Sequence, residues 1–156
     1  MMMKLSYEVL SRLKGRTLAT AESCTGGGVG AALTAIPGSS EVYKGGIISY
    51  TNEIKINMLG VDPQLLNREG AVSAEVAKAM AIGARERLCA EVAVSVTGLA
   101  GPGGDEYGNP VGTVYIGYAD VHGVSCLKCH FSGDRNGVRS QAVRTALEFI
   151  LQNNKL

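Results

Sequence analysis

Apolar positions recur along this chain with two different periods, and the switches between them predict its elements. Leu5, Val9, Leu10 and Leu13 fall at helical spacing over residues 4–14. TLATAE (17–22) is short and apolar, the mark of a buried strand. A second helix is expected from Thr25, with Val29, Leu33 and Ile36 in register and Pro37-Gly38 ending it. GGIISY (45–50) reads as a strand, and Asn52 as the N-cap of a short helix reaching Leu59. Asp62-Pro63 opens another turn of helix, with aspartate capping and proline in the first position. Ser73 should cap the longest early helix, because Val76, Met80, Ala84 and Leu88 lie four apart. EVAVSVTG (91–98) alternates too little to have a wet face and reads as a central strand. GPGGDEYGNP (101–110) is an exposed loop. GTVYIGYAD and VSCLKCHFS, joined across His122-Gly123, predict an antiparallel hairpin, and Asp134 begins a last helix running toward Leu151.

The resulting order, αβαβααβββα with short connections, predicts an α/β protein. The expected form is a three-layer α/β/α sandwich with a mixed, largely parallel central sheet and an antiparallel hairpin. Neither a repeat nor a linker interrupts residues 1–156, so one domain is expected.

Composition narrows the functional classes. Hydrophobic residues make up 46% of 156, enough for a sizeable core. Fifteen basic and fourteen acidic side chains leave a formal charge of +1, which gives no general pull toward nucleic acid or a membrane. An anionic ligand must therefore be held by local donors. Lys4, Glu8, Arg12 and Lys14 interrupt the N-terminal apolar residues, so neither a secretory h-region nor a bilayer span is expected. A cytoplasmic location follows as an expectation, with the four cysteines reduced. Twenty-one glycines imply backbone surfaces that something approaches closely.

Three motifs invite chemistry that their context denies. CLKCH (126–130) spells the haem c attachment pattern, but in a strand Cys126 and Cys129 point to opposite faces. The same facing argument removes a zinc site built from these cysteines with His122 and His130. SRLK (11–14) matches S-x-x-K, yet its partner patterns are absent and Ser11 and Lys14 fall on the polar side of the first helix. Gly26-x-Gly28-x-x-Ala31 is part of a dinucleotide fingerprint, with Glu53 at a suitable distance. Against that reading, Ser23-Cys24-Thr25 stands where the strand should turn straight into glycine, and the chain has too few βα units for two mononucleotide halves.

The strand ends carry a more coherent set. TLATAE leads to Ser23, GGIISY to Tyr50 with Lys55 just inside the next helix, and EVAVSVTG to Thr97-Gly98. If those strands lie parallel and adjacent, Ser23, Tyr50, Lys55 and Thr97 meet at one edge. A serine needs a base to become a nucleophile, and no histidine is placed to serve. Lysine can be that base only when neutral, which requires burial to lower its usual value of about 10.4. Ile54, Ile56 and Met58 are expected to supply apolar surroundings, and Tyr50 to relay or steady the proton. Backbone N–H groups after Ser23 are expected to face the oxyanion, each worth about 3 kcal/mol. Each residue also has a plain reading: Ser23 or Thr25 as a helix cap, Lys55 as a solvated helix lysine, Tyr50 as a strand aromatic. Spacing alone leaves these open.

AESCTGG, YKGGIISYTNEIKINMLGV, GAVSAEVAKAMAIGA, SVTGLAGPGG, PVGTVYIGYA and FSGDR together resemble the CinA C-terminal domain family, in order over roughly residues 5–150. Stand-alone members of that family resemble nicotinamide-nucleotide amidase, and the length fits the stand-alone form. The resemblance implies hydrolysis of the carboxamide of nicotinamide mononucleotide to nicotinate mononucleotide and ammonia, in bacterial pyridine-nucleotide salvage. It implies a Ser–Lys pair and neither metal nor cofactor. Matched by motif, the nucleophile is Ser23 and the base Lys55, with Tyr50 beside them. Thr25, Gly26, Gly27, Thr97 and Gly98 are implied to line the substrate, and Arg135 of SGDR to hold its phosphate or ribose, with Arg139 one turn on as the alternative. The family's habit and the Val- and Ile-bearing hairpin point to self-association. A rival from another class remains, a non-catalytic nucleotide-binding module using the Gly26–Gly28 helix start. A metal-dependent hydrolase is the third possibility.

Overall fold

In the computed structural model, which describes residues 1–155, the five predicted strands join in one sheet. These are β1 (Leu18–Glu22), β2 (Tyr43–Ile48), β3 (Val92–Gly98), β4 (Thr113–Asp120) and β5 (Gly123–His130), in the order β2-β1-β3-β4-β5. β1 pairs parallel with both β2 and β3, while β3–β4 and β4–β5 are antiparallel. Every strand but β4 therefore runs the same way, which is the mixed, largely parallel sheet expected. β3 is central, and its first six residues are all buried.

Helices cover both faces. α1 (Met2–Arg12), α2 (Gly28–Thr34) and α6 (Arg135–Gln152) lie on one side. Val9, Leu33 and Leu147 there pack against Val92, Val94, Val114 and Ile116 of the sheet. α3 (Asn52–Leu59), α4 (Pro63–Glu69) and α5 (Ala74–Arg87) cover the other, through Leu59, Leu66, Val76 and Met80. On that side the strand residues are small: Ala19, Ala21, Ala93, Ser95 and Gly117. α5 can consequently lie close to the sheet, and Ser95 Oγ donates to the Ala77 carbonyl at 2.5 Å. Each large side chain buried in these layers contributes about 1.5–3 kcal/mol relative to exposure.

Several boundaries move, for local reasons. β2 ends at Ile48, so Tyr50 stands beyond the strand. Thr51, not Asn52, caps α3, its Oγ1 accepting the Ile54 N–H at 3.3 Å. α2 starts at Gly28 rather than Thr25, because Gly26 and Gly27 adopt φ of +60° and +100° and form a turn before it. The helical turn at Asp62-Pro63 is the separate helix α4, making the order αβαβαααβββα. Asp62, Ser73 and Asp134 cap α4, α5 and α6 as expected, each accepting a backbone N–H. No described helix is long and apolar enough to cross a membrane.

The topology makes a crevice. From β1 the chain moves out to β2, then returns across the sheet to β3 on the far side of β1. Strand order reverses at β1, and the connections diverge there. Ligands in open α/β sheets bind at such points, beyond the carboxyl ends of the strands.

Candidate active site

The carboxyl ends of β2, β1 and β3 are level, since Glu22 pairs with Ile48 on one side and Val96 on the other. Ser23, Ser49 and Thr97 therefore emerge together. A cleft of about 280 Å³ opens there, with Ser23, Tyr50, Lys55, Thr97, Gly98 and Arg135 in its wall. It is floored by the strand ends and flanked by residues 71–72 and the start of the 99–110 loop.

Lys55 sits on the inward face of α3, one turn before the buried Leu59, and is 1% exposed. Its Nζ lies 3.2 Å from Ser23 Oγ and donates to the Ser49 carbonyl at 2.7 Å. Burial pulls the amine down from 10.5 to about 8, against a weaker opposing pull from Cys24. The expected apolar neighbours are not the cause. Met58 is 48% exposed and Ile54 and Ile56 only half-buried; the lysine is dehydrated because it points inward while they point sideways or out. A neutral amine here can donate one hydrogen to Ser49 and turn its lone pair to the Ser23 hydroxyl.

Ser23 is 8% exposed, and its backbone N–H donates to Val96 O at 2.9 Å, extending the sheet by one residue. Cys24 beside it is 6% exposed, and burial pushes its thiol up to about 11. Its thiolate is therefore scarce at neutral pH, so the cysteine is both a poor nucleophile and resistant to oxidation.

The remaining candidates divide. Thr97 and Gly98 line the cleft, but the Thr97 hydroxyl donates to Ala71 O at 2.8 Å. A Cβ on Gly98 would come within 2.8 Å of the Thr113 carbonyl, so this glycine serves the approach of β4. Tyr50 is 58% exposed at the mouth; its hydroxyl accepts from Arg135 Nη2 at 3.1 Å and bonds neither Ser23 nor Lys55. Arg135 also donates to Gly101 O at 2.6 Å, bridging the mouth from Tyr50 to the glycine-rich loop. Thr25, Gly26 and Gly27 do not line the cleft. Nor does Arg139, whose Nε and Nη2 donate to Cys24 O at 3.0 Å and Thr25 O at 3.2 Å.

Two participants escaped the sequence reading. Glu22, 2% exposed, accepts from Thr25 Oγ1 (2.7 Å), Val29 N (2.8 Å) and Gly30 N (3.0 Å). Its carboxylate fills the start of α2, the place where a dinucleotide phosphate would sit. Gly28 and Gly30 are there for packing: a Cβ would meet Val143 at 2.8 Å or the Tyr43 hydroxyl at 2.6 Å. An acidic residue at the last position of a buried strand, just before a helix start, was the available signal. Ser49 contributes through its carbonyl, which leaves no mark in the side-chain pattern.

The cysteines of CLKCH face opposite sides of their strand, as expected. Cys129 packs into the core under α6, while Cys126 lies on the other side of β5, near Lys78 and Glu75 of α5. Among the described residues no group of His, Cys, Asp and Glu could hold a metal.

The fold and the site define an α/β/α protein with a buried serine–lysine pair at the switch point of its sheet. Residues 2–154 match the model of the CinA C-terminal domain, and the chain belongs to that family. It is 54% identical over 136 residues to a CinA-like protein of Cyanothece sp., covering 86% of this chain and 32% of that one. A putative competence-damage inducible protein of Halothermothrix orenii is 51% identical over 138 residues, covering 88% and 33%. The chain thus spans about a third of the length of these curated relatives. Among solved structures it resembles the competence-damaged protein (CinA) superfamily protein of Escherichia coli. The TM-score there is 0.96 at 39% identity, over 98% of this chain and 90% of the other. The competence/damage inducible protein CihA of Agrobacterium tumefaciens gives 0.95 at 40%, over 99% and 96%.

Proposed function

We propose that this chain is a serine amidohydrolase acting on the carboxamide of nicotinamide mononucleotide, yielding nicotinate mononucleotide and ammonia. The observation that carries the reading is the 3.2 Å approach of Lys55 Nζ to Ser23 Oγ, with the amine held well below its ordinary value. Ser23 Oγ attacks the carboxamide carbon as its proton passes to neutral Lys55. The carbonyl π pair moves to oxygen. When the carbonyl re-forms, the C–N bond breaks and Lys55 returns the proton to nitrogen, releasing ammonia and leaving Ser23 acylated. Lys55, neutral again, takes a proton from water; the resulting hydroxide attacks the ester, Lys55 returns the proton to Ser23 Oγ as the C–O bond breaks, and the acid released loses its own proton to solvent to become the carboxylate.

Support for the remaining roles is geometric. The N–H group of Cys24, a residue of the cleft wall, is taken up by no backbone carbonyl among the described residues, which suits it to an oxyanion; that of Thr25, just behind it, is likewise bound to no backbone carbonyl. Arg135 engages two of its five N–H donors at the cleft mouth, and an incoming phosphate competes for them with Tyr50 and Gly101. Glu22 at the start of α2 weighs against the nucleotide-binding module, because its charge repels a phosphate from that position.

The test is ammonia release from nicotinamide mononucleotide, with nicotinamide and its riboside as controls. Ser23→Ala is expected to fold normally and lose several orders of magnitude in turnover, as removal of a nucleophile does elsewhere. Near-normal ammonia release by that variant refutes the proposal.

A further inference from the structure

The segment carrying Ser23 is tied down from both sides, by groups that never enter the cleft. From the sheet side, Glu22 reaches forward to Thr25, Val29 and Gly30. From α6, Arg139 reaches across to the carbonyls of Cys24 and Thr25. The backbone between them is nearly fully engaged. Glu22 O accepts from Ser49 N at 2.7 Å, Ser23 N donates to Val96 O, and Ser23 O accepts from Gly26 N at 3.0 Å. Thr25 O accepts from Gly28 N at 3.0 Å as well as from Arg139. What this bonding leaves over is the Ser23 hydroxyl and the N–H groups of Cys24 and Thr25.

We propose that Glu22 and Arg139 are positioning residues that set the direction of the Ser23 hydroxyl and of the peptide following Cys24. In a trans peptide the C=O and N–H point in opposite directions. Holding the Cys24 carbonyl against α6 therefore turns the Thr25 N–H away from α6. A guanidinium on that carbonyl also polarises the amide and strengthens its N–H as a donor. Arg139 is suited to this because its planar guanidinium aims two separate nitrogens, Nε and Nη2, one at each carbonyl in a fixed fork, whereas an ammonium would have to reach both from a single atom. The assignment removes Arg139 from the candidates for holding a substrate phosphate, since its guanidinium lies outside the cleft wall and is turned to main chain behind the nucleophile.

The inference rests on the Ser23–Lys55 reading, so its test must report on the serine apart from any substrate. A fluorophosphonate that labels activated serines does so, with Ser23 occupancy followed by intact mass and peptide mapping from pH 6 to 10. Wild type is expected to be labelled at Ser23, and Lys55→Met not. Arg139→Gln, Arg139→Lys and Thr25→Val (which loses the hydroxyl bound by Glu22) are expected to be labelled about 10–100-fold more slowly, the cost of a small misplacement. Their pH midpoints should stay where wild type has its own. General loosening of the fold would instead rehydrate Lys55 and move the midpoint toward that of an ordinary lysine. Thermal melting identifies any variant that has unfolded, and Arg139→Lys keeps stem and charge should Arg139→Gln be one. Labelling of Arg139→Lys at the wild-type rate overturns the proposal.

Turnover adds a second arm. Arg139→Lys is expected to lower kcat equally on nicotinamide mononucleotide and on its riboside, with KM unchanged. Loss confined to the phosphorylated substrate, through KM, makes Arg139 a phosphate holder and overturns the inference. A wild type unlabelled at Ser23 refutes the serine–lysine reading and the inference with it. A wild type that is labelled yet releases no ammonia refutes only the choice of substrate.

Discussion

Replacing Lys55 by methionine should abolish activity and make the protein more stable. Methionine has similar length and no charge, so it can fill the same inward-facing slot. The amine sits at about 8 in the folded protein against 10.5 for an ordinary lysine, a gap of about 2.5. At about 1.4 kcal/mol per pH unit, keeping that ammonium dehydrated costs about 3 kcal/mol. Methionine forfeits the bonds to Ser49 O and Ser23 Oγ and leaves the carbonyl short of a donor, a loss of about 1–2 kcal/mol. The balance favours the variant by about 1–2 kcal/mol at pH 7. The pH dependence gives a sharper check. Between about 8 and 10.5 the unfolded chain keeps the Lys55 proton while the folded one has released it. Wild-type stability therefore gains with rising pH over that window, and the variant's advantage shrinks. Below about 8 the advantage is at its full value. The thiol of Cys126, raised to about 11, and Tyr118, raised to about 12, titrate alike in both proteins and cancel in the difference, whereas Cys24 feels the Lys55 charge and shifts further up in the variant. Urea unfolding of both proteins at pH 7 and pH 10 measures it. A variant less stable than wild type at pH 7, by a margin independent of pH, refutes the account of a dehydrated amine.

Three further outcomes are expected. The kcat/KM of wild type should rise about tenfold per pH unit up to about 8 and level off above, because the base must be neutral; a flat profile from pH 6 to 9 contradicts it. Gly83→Ala should destabilise by about 3 kcal/mol in urea unfolding, because the new methyl meets the Leu59 carbonyl where α5 crosses the end of α3. That overpacking outweighs the roughly 1 kcal/mol of helix propensity gained, and a net increase in stability would sink it. Ser6→Ala should stabilise by about 1 kcal/mol, since the Ser6 hydroxyl is fully buried in α1 without a hydrogen-bond partner among the described residues; a lowered thermal midpoint contradicts this.

The layers were legible in the sequence because burial leaves periodic marks. Val76, Met80 and Ala84 predicted α5, the unbroken run of β3 predicted a central strand, and Asp62, Ser73 and Asp134 announced their helices. Boundaries near glycine were less legible. Gly26 and Gly27 belong to a turn whose positive φ delays α2 to Gly28, a matter of backbone conformation that apolar spacing does not encode. At the site, strand ends brought Ser23, Lys55 and Thr97 into one cleft, as parallel pairing of β2, β1 and β3 requires. The direction each side chain faces was not legible. Thr25 turns to Glu22, Arg139 to the main chain and Tyr50 to Arg135, and nothing in residue type distinguishes these from a turn toward a ligand. Resemblance supplied the motif but not this division of labour.

The amine of Lys55 is anchored to the carbonyl of Ser49, an atom that every amino acid carries. Exchanging the residue at 49 therefore leaves that anchor in place so long as β2 keeps its course. Mutational scanning of side chains will pass over it. Only a change to the chain itself, such as an ester in place of the amide or a proline nearby, can expose how much the base owes to it.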